Sequence, residues 1–437
     1  MKKTLLKNLL VINPTSNPSF IENAFVAISG DTIESVSQKE PTGKFDFIYN
    51  LKGKIALPGM INAHHHLYSA LAVGMPLPKN NPSNFKEILN EVWWKMDLAL
   101  DHDTSLACFE SGILDSLKAG TTTIIDHHCS PSFIEGSLSL LAETGDKFGL
   151  NTSIAFEVSD RNGHSKFEES LHENINSSLK FVNNPHIHPM IGLHASFTLS
   201  DSSLKKIRDD LNSLESWGIH IHVSEDKADE EDAINKGYLS VIERLHKFDL
   251  INENGLLIHG LHMRESDLEL LCKKNAQLVH NPSSNANNRV GITPNQSLRI
   301  LKSGLRTDGM QGNMLREAKE GMLIRSSHLS GGIDNVDYMK LLFENNPSIA
   351  SKLFKCKIGK ILPEYKADLA IFDYYPRTPI NESTIFGHIF FGLSDLPSDV
   401  MTRGEFRIKD NEFIGLSEKE IKENASKQAI RLWENLS

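Results

Sequence analysis

Histidine stands out in this chain, with 19 copies in 437 residues, and its spacing points to chemistry more than its number does. In Asn62-Ala63-His64-His65-His66 the run reads as a strand, and side chains two apart on a strand share a face. His64 and His66 can therefore grip one ion together, while His65 points away. His222 offers a third imidazole and Asp308 a carboxylate, which completes an N₃O set suited to Zn²⁺ or Fe²⁺ with room for a water. Such an ion lowers the pKa of water from ~15.7 toward ~7. The released proton then needs a carrier, and Asp308 is placed to accept it. Glu225, three residues beyond His222, is the candidate to protonate a ring nitrogen or leaving group, and His259 to hydrogen-bond the attacking oxygen. Glu225 lies in the acidic stretch SEDKADEEDA, whose Asp229, Glu230, Glu231 and Asp232 are expected to form a solvated face.

These residues must be brought to one place, and the pattern around them says how. Short β-branched runs alternate with helical ones, the signature of βα units and a parallel sheet. The strands expected are MINAHHH, TTTIIDHH, NTSIAFEV, HPMIGLHAS, IHIHVSE, GLLIHGLH, AQLVHNP and LRTDG, with helices such as Leu106 to Ala119, Ser137 to Phe148 and Glu265 to Lys274 between them. Eight units predict an α/β fold, a (β/α)₈ TIM-like barrel over residues 58–359. His64, His66, His127, His128, His194, His222, Glu225, His259, His280 and Asp308 then fall near strand C-terminal ends, which meet at the mouth where barrel active sites are built. An insertion from Met75 to Asp97 carries Trp93-Trp94, for which stacking on a planar substrate and simple packing are equal readings. Residues 1–57 and 360–437 read as short strands and hairpins, and are expected to combine into one small β-sandwich domain made from both termini.

Composition excludes several function classes. With 39% hydrophobic and 23% charged residues the chain is globular, and a net charge of -10 leaves no basic face for nucleic acid. Cys108, Cys129, Cys272 and Cys356 form no CxxC pair, which speaks against disulfides or thiolate zinc and for a cytoplasmic location. Lys7 and Asn8 interrupt the first apolar run, so MKKTLLKNLLVINP reads as a strand and not a leader. No segment approaches the ~18 apolar residues of a membrane span. A homodimer is the commonest assembly for such a protein.

Taken together, LPGMINAHHHLYSAL, AGTTTIIDHH, GLHASFTLS, IHIHVSED, LLIHGLHM, LVHNPSSNANN and TDGMQGNM resemble the strand motifs of the amidohydrolase superfamily. The nearest likeness is to its cytosine deaminase and chlorohydrolase-like branch, with FEVSDRNG, LLFENNPSIASKLF and GHIFFGLS similar to SsnA-type aminohydrolases. The resemblance implies metal ligands His64, His66, His222 and Asp308, catalytic roles for Glu225, His259 and Asp308, and substrate contact by His194. It implies one divalent ion, zinc ahead of iron, because the fourth strand MIGLHASF holds no lysine to bridge a second. The reaction implied is an aminohydrolase (deaminase) step at a C–N bond of a small heterocycle. The alternatives are a cyclic amide hydrolase of hydantoinase or dihydropyrimidinase type, and a non-catalytic metal-binding paralogue. At the eighth strand, Leu305 to Thr307 is short for an element of typically ~5 residues and Arg306 is a charge in its interior. Either the strand is rebuilt from the preceding ILKSG segment or Asp308 is displaced.

Overall fold

The computed structural model describes residues 1–78, 80–328 and 337–436; Lys79 of the predicted insertion lies outside them. Both ends of the chain share one nine-stranded sheet. Its seam is the antiparallel pairing of Leu369–Asp373 with Lys54–Pro58, with Leu369 opposite Pro58 and Asp373 opposite Lys54. The opening segment is the strand Lys3–Ile12, and Gly30-Asp31 closes the hairpin between Phe20–Ser29 and Thr32–Ser37. The final helix, Glu418–Glu434, starts where Ser417 caps it by accepting from the Glu420 amide.

The central strands are parallel and follow the expected order: Met60–His65, Thr121–Asp126, Asn151–Ile154, Ile191–Ala195, Ile219–Val223, Leu256–His259, Gln277–His280 and Gly304–Leu305. The fourth is broken at Met190, whose amide bonds the Ile154 carbonyl, and its leading piece Ile187–Pro189 pairs with the third. Sequence alternation explains how these strands serve core and site together. In Ile219–Val223, the residues Ile219, Ile221 and Val223 join an apolar cluster with helix residues such as Leu204 and Leu245, which turns His220 and His222 to the other face. Gly192 is required where strands three and four meet, because a Cβ there would lie 2.3 Å from the Phe156 carbonyl oxygen.

The eighth strand departs from expectation in an instructive way. Of ILKSG only Gly304 joins it: Ile300 ends the helix Asn295–Ile300, and the strand is no more than Gly304–Leu305. Asp308 is nevertheless not displaced. A parallel bridge joins His65 to Asp308, with the Asp308 amide on the His64 carbonyl and the His66 amide on the Asp308 carbonyl, each at 3.3 Å. Asparagine side chains supply what the short ladder lacks. Asn346 accepts from the Leu305 amide at 2.7 Å and donates to the carbonyls of Ile61 and Leu305 at 2.7 and 2.8 Å. Asn345 donates to Ser303 O at 2.8 Å, and Asn62 bonds the Thr307 hydroxyl at 2.7 Å. Arg306 is fully buried, as the strand pattern required, and donates through Nε to Asn281 Oδ1 at 2.6 Å. Burial pulls its guanidinium down to about 9, against the opposing pull of Asp308, Glu225 and Glu317.

Asn346→Ala should therefore be costly out of proportion to its size. It leaves three buried backbone groups without partners, at ~1–3 kcal/mol each. The expected loss is at least about 3 kcal/mol, read as a fall in urea midpoint with unchanged slope. A shift of a few tenths of a kcal/mol would show that the short strand does not depend on this clamp.

Candidate active site

At the strand ends, four donor atoms converge. His66 Nε2 lies 3.1 Å from His64 Nε2, 3.3 Å from His222 Nε2 and 3.0 Å from Asp308 Oδ1, which is itself 3.3 Å from His64 Nε2. All four residues are buried. The opposite ring nitrogens are already engaged: His66 Nδ1 donates to His127 O at 2.6 Å, His222 Nδ1 to His194 O at 2.9 Å, and His64 Nδ1 pairs with His220 Nε2 at 2.5 Å. With the protons on Nδ1, three Nε2 lone pairs and a carboxylate oxygen face one another in a buried pocket, an arrangement that a bound cation relieves. Three imidazoles and one carboxylate fit a divalent transition ion. Burial drives the His64 and His222 rings well below their ordinary range and so keeps them neutral, as ligation requires. For Asp308, burial alone would raise the carboxyl, but its contacts with the His64 and His66 rings and the Arg306 charge hold it well below the carboxylate range.

Asp308 and His259 both take left-handed backbone, with φ of 58° and 78°, a strained conformation that is concentrated at functional positions. The turn at Asp308 leaves Oδ2 to accept from Ser284 Oγ at 2.5 Å and from Asn281 Nδ2 at 3.3 Å. Glu225 Oε2 faces His259 Nε2 at 3.2 Å, and Asn288 Nδ2 donates to its Oε1 at 3.3 Å. Burial, with the Asp308 charge beside it, pushes Glu225 up to about 8. Burial and Arg306 bring His259 down to about 3. A carboxyl that keeps its proton at neutral pH stands beside an imidazole that does not.

The cleft over these groups is walled by Phe85, Leu89, Trp93, Trp94 and Phe197, and His194 lines it as well. His194 is fixed by Thr198 Oγ1 at 2.8 Å. Both tryptophans reach the cleft, and Trp94 also packs edge-on to His194 with ring centroids 6.1 Å apart. His65 is structural, bonding Asp308 O at 2.7 Å, and His128 and His280 bond Ser130 and Thr293 hydroxyls away from the cleft.

Two sequence expectations are corrected. Asp229 and Glu230 are buried instead of solvated: Asp229 accepts from the Ser224 amide at 2.8 Å and lines the cleft, and Glu230 takes the Ser224 hydroxyl at 2.5 Å. The run DKADEEDA opens a helix, Lys227–Asn235, packed by one flank against the barrel, with Asp229 and Glu230 on the inside and Glu231 and Asp232 turned outward. The pairing of two buried cleft carboxylates, Asp97 and Glu157, with Arg161 behind them was not anticipated, although FEVSDRNG contains two of the three.

With this geometry in view, comparison with known proteins gives a consistent result. The model of the Amidohydrolase family matches residues 55–406. A 5-methylthioadenosine/S-adenosylhomocysteine deaminase of Dictyoglomus thermophilum is 28% identical, covering 96% of this chain and 97% of the relative. A 5'-deoxyadenosine deaminase of Methanococcus aeolicus is 26% identical over 92% and 93%. Among solved structures, an adenosine deaminase from Xanthomonas campestris with bound zinc superposes with a TM-score of 0.83 at 18% identity, covering 99% of this chain and 98% of that one. Atrazine chlorohydrolase from Arthrobacter aurescens, complexed with zinc, gives 0.81 at 17%, covering 98% and 100%. These structural likenesses speak to the fold.

Proposed function

The chain belongs to the amidohydrolase family, and we propose that it is a metal-dependent aminohydrolase releasing ammonia from a small, adenine-like heterocycle. The observation that carries this reading is the convergence of His64, His66, His222 and Asp308 on one point, with Glu225 and His259 alongside. Those four residues would hold one divalent ion, zinc ahead of iron. When bound, the ion makes a water acidic enough to attack at neutral pH, lowering its pKa toward ~7. Deamination needs the rest from the protein. Glu225 donates to the ring nitrogen next to the attacked carbon. Asp308, whose Oδ2 is oriented by Ser284 and Asn281, takes the nucleophile's proton and passes it to the departing amine. His259 Nε2 bonds the attacking oxygen, while the aromatic walls hold the ring flat and exclude bulk water. The relatives named as deaminases of adenine nucleosides support the substrate class. No helix among the described residues is long and apolar enough to cross a membrane, and the four cysteines are free, which supports a cytoplasmic enzyme.

The test is chelation and reconstitution with an ammonia readout over adenine nucleosides, guanine, cytosine, triazines and hydantoins. Ammonia release from a heterocycle that vanishes on chelation and returns with about one zinc per chain is expected. Ring-opened acid without ammonia would favour the cyclic amide hydrolase, and full metal with no turnover on any member the non-catalytic paralogue.

A further inference from the structure

The cleft is lined by five carboxylates, Asp97, Glu157, Glu225, Asp229 and Asp308, and by no lysine or arginine among the described residues. Three of the five have duties already stated. Asp97 and Glu157 remain, and they share one guanidinium. Arg161 Nη1 lies 3.3 Å from Asp97 Oδ2, its Nη2 bonds Glu157 Oε1, and its planar face rests on Trp94 at 4.8 Å. Two carboxylates on one cation leave this wall formally at -1, and Asp97 Oδ1 is buried with no hydrogen-bond partner. Asp97, Glu157 and Cys129 also converge closely enough to suggest a second metal site, but Arg161 already occupies their common focus, with Nη2 3.7 Å from Cys129 Sγ. Arg161 is itself spent on these contacts and does not face the cleft.

We propose that this wall makes the cleft selective for uncharged or cationic planar heterocycles presenting N–H or O–H donors, and that it rejects substrates carrying a carboxylate or phosphate, with Glu157 as the specificity-determining residue. An anionic substituent turned toward Asp97 and Glu157 would be stripped of water against a net negative wall whose one cation, Arg161, is already spent, which is selection by repulsion. A donor group instead finds carboxylate acceptors along the same wall. The inference rests on the aminohydrolase reading for the placement of the ring, and adds which substituents the ring can carry.

Adenosine-5'-carboxamide and adenosine-5'-carboxylic acid form a nearly isosteric pair that differs in charge. Calorimetric titration of the zinc-loaded enzyme is expected to show the amide binding at least ~10-fold tighter, a modest value for one buried like-charge contact. Glu157→Gln removes one negative charge and frees an edge of Arg161, and should shrink that ratio at least ~5-fold by strengthening acid binding. Asp97→Asn should do the same and serves where the first variant does not fold. A merely structural role would weaken both ligands alike and leave the ratio unchanged. Acid bound as tightly as amide by the wild type, neither ligand bound, or a ratio untouched in both variants each overturn the proposal. Amide bound selectively yet releasing no ammonia would sink the aminohydrolase reading and leave the charge selection standing.

Discussion

His66→Ala is expected to purify with far less than one metal ion per chain and to be inactive. Its Nε2 is the hub of the donor set, within 3.3 Å of the donor atoms of His64, His222 and Asp308. Loss of a group that merely orients a ligand costs ~10–100-fold in metal affinity, so loss of the ligand itself should cost at least that. Alanine also leaves the His127 carbonyl without the ring N–H it receives at 2.6 Å. Elemental analysis after dialysis against buffered zinc reads the effect directly. His102→Ala provides a control, since that imidazole is exposed on the helix His102–Lys118 and should leave metal content unchanged. Stoichiometric metal in His66→Ala would remove His66 from the ligand set and with it the main support for the proposed function.

How much of this could be read from residues alone depends on how far apart the interacting partners lie in the chain. The pairing of His64 with His66 follows from the period of a strand, a local rule. The same rule placed His222 opposite the apolar Ile221 and Val223. Eight strands alternating with helices implied the barrel, and the barrel implied that distant strand ends share a mouth. The eighth strand resisted because its support is not local. Asn346 reaches Leu305 from 41 residues away and Ile61 from 285, and no spacing rule connects them. Counting strand residues therefore suggested either a rebuilt strand or a displaced Asp308, while side-chain amides were standing in for the missing ladder. Lengthening Gly304 to Thr307 would push Leu305 out of the Asn346 clamp. The burial of Asp229 and Glu230 was hidden for a related reason. An acidic run reads as surface until the helix carrying it is docked, and Ser224, which donates to both, is polar enough to give no apolar signal.

Glu225→Gln tests the chemistry apart from the metal. The amide keeps the size of the side chain and its position between His259 and Asn288, but has no carboxylic proton to give. Metal content should remain near that of the wild type, since Glu225 is outside the four-donor set. Turnover should fall by ~10²–10⁴-fold, the usual contribution of a positioned acid or base. Burial and the neighbouring Asp308 charge both favour the protonated carboxyl, the form that gives the first proton. The variant's loss should therefore appear in kcat more than in KM, as expected for an interaction made in the transition state. The same substitution removes one carboxylate from a cleft that has five, so neutral ligands should bind at least as well as before. A variant that binds substrate, retains metal and still turns over within tenfold of wild type would assign the proton shuttle elsewhere. Asp308 would then be the remaining candidate, because its Oδ2 faces away from the donor cluster and lies 3.9 Å from His259 Nε2.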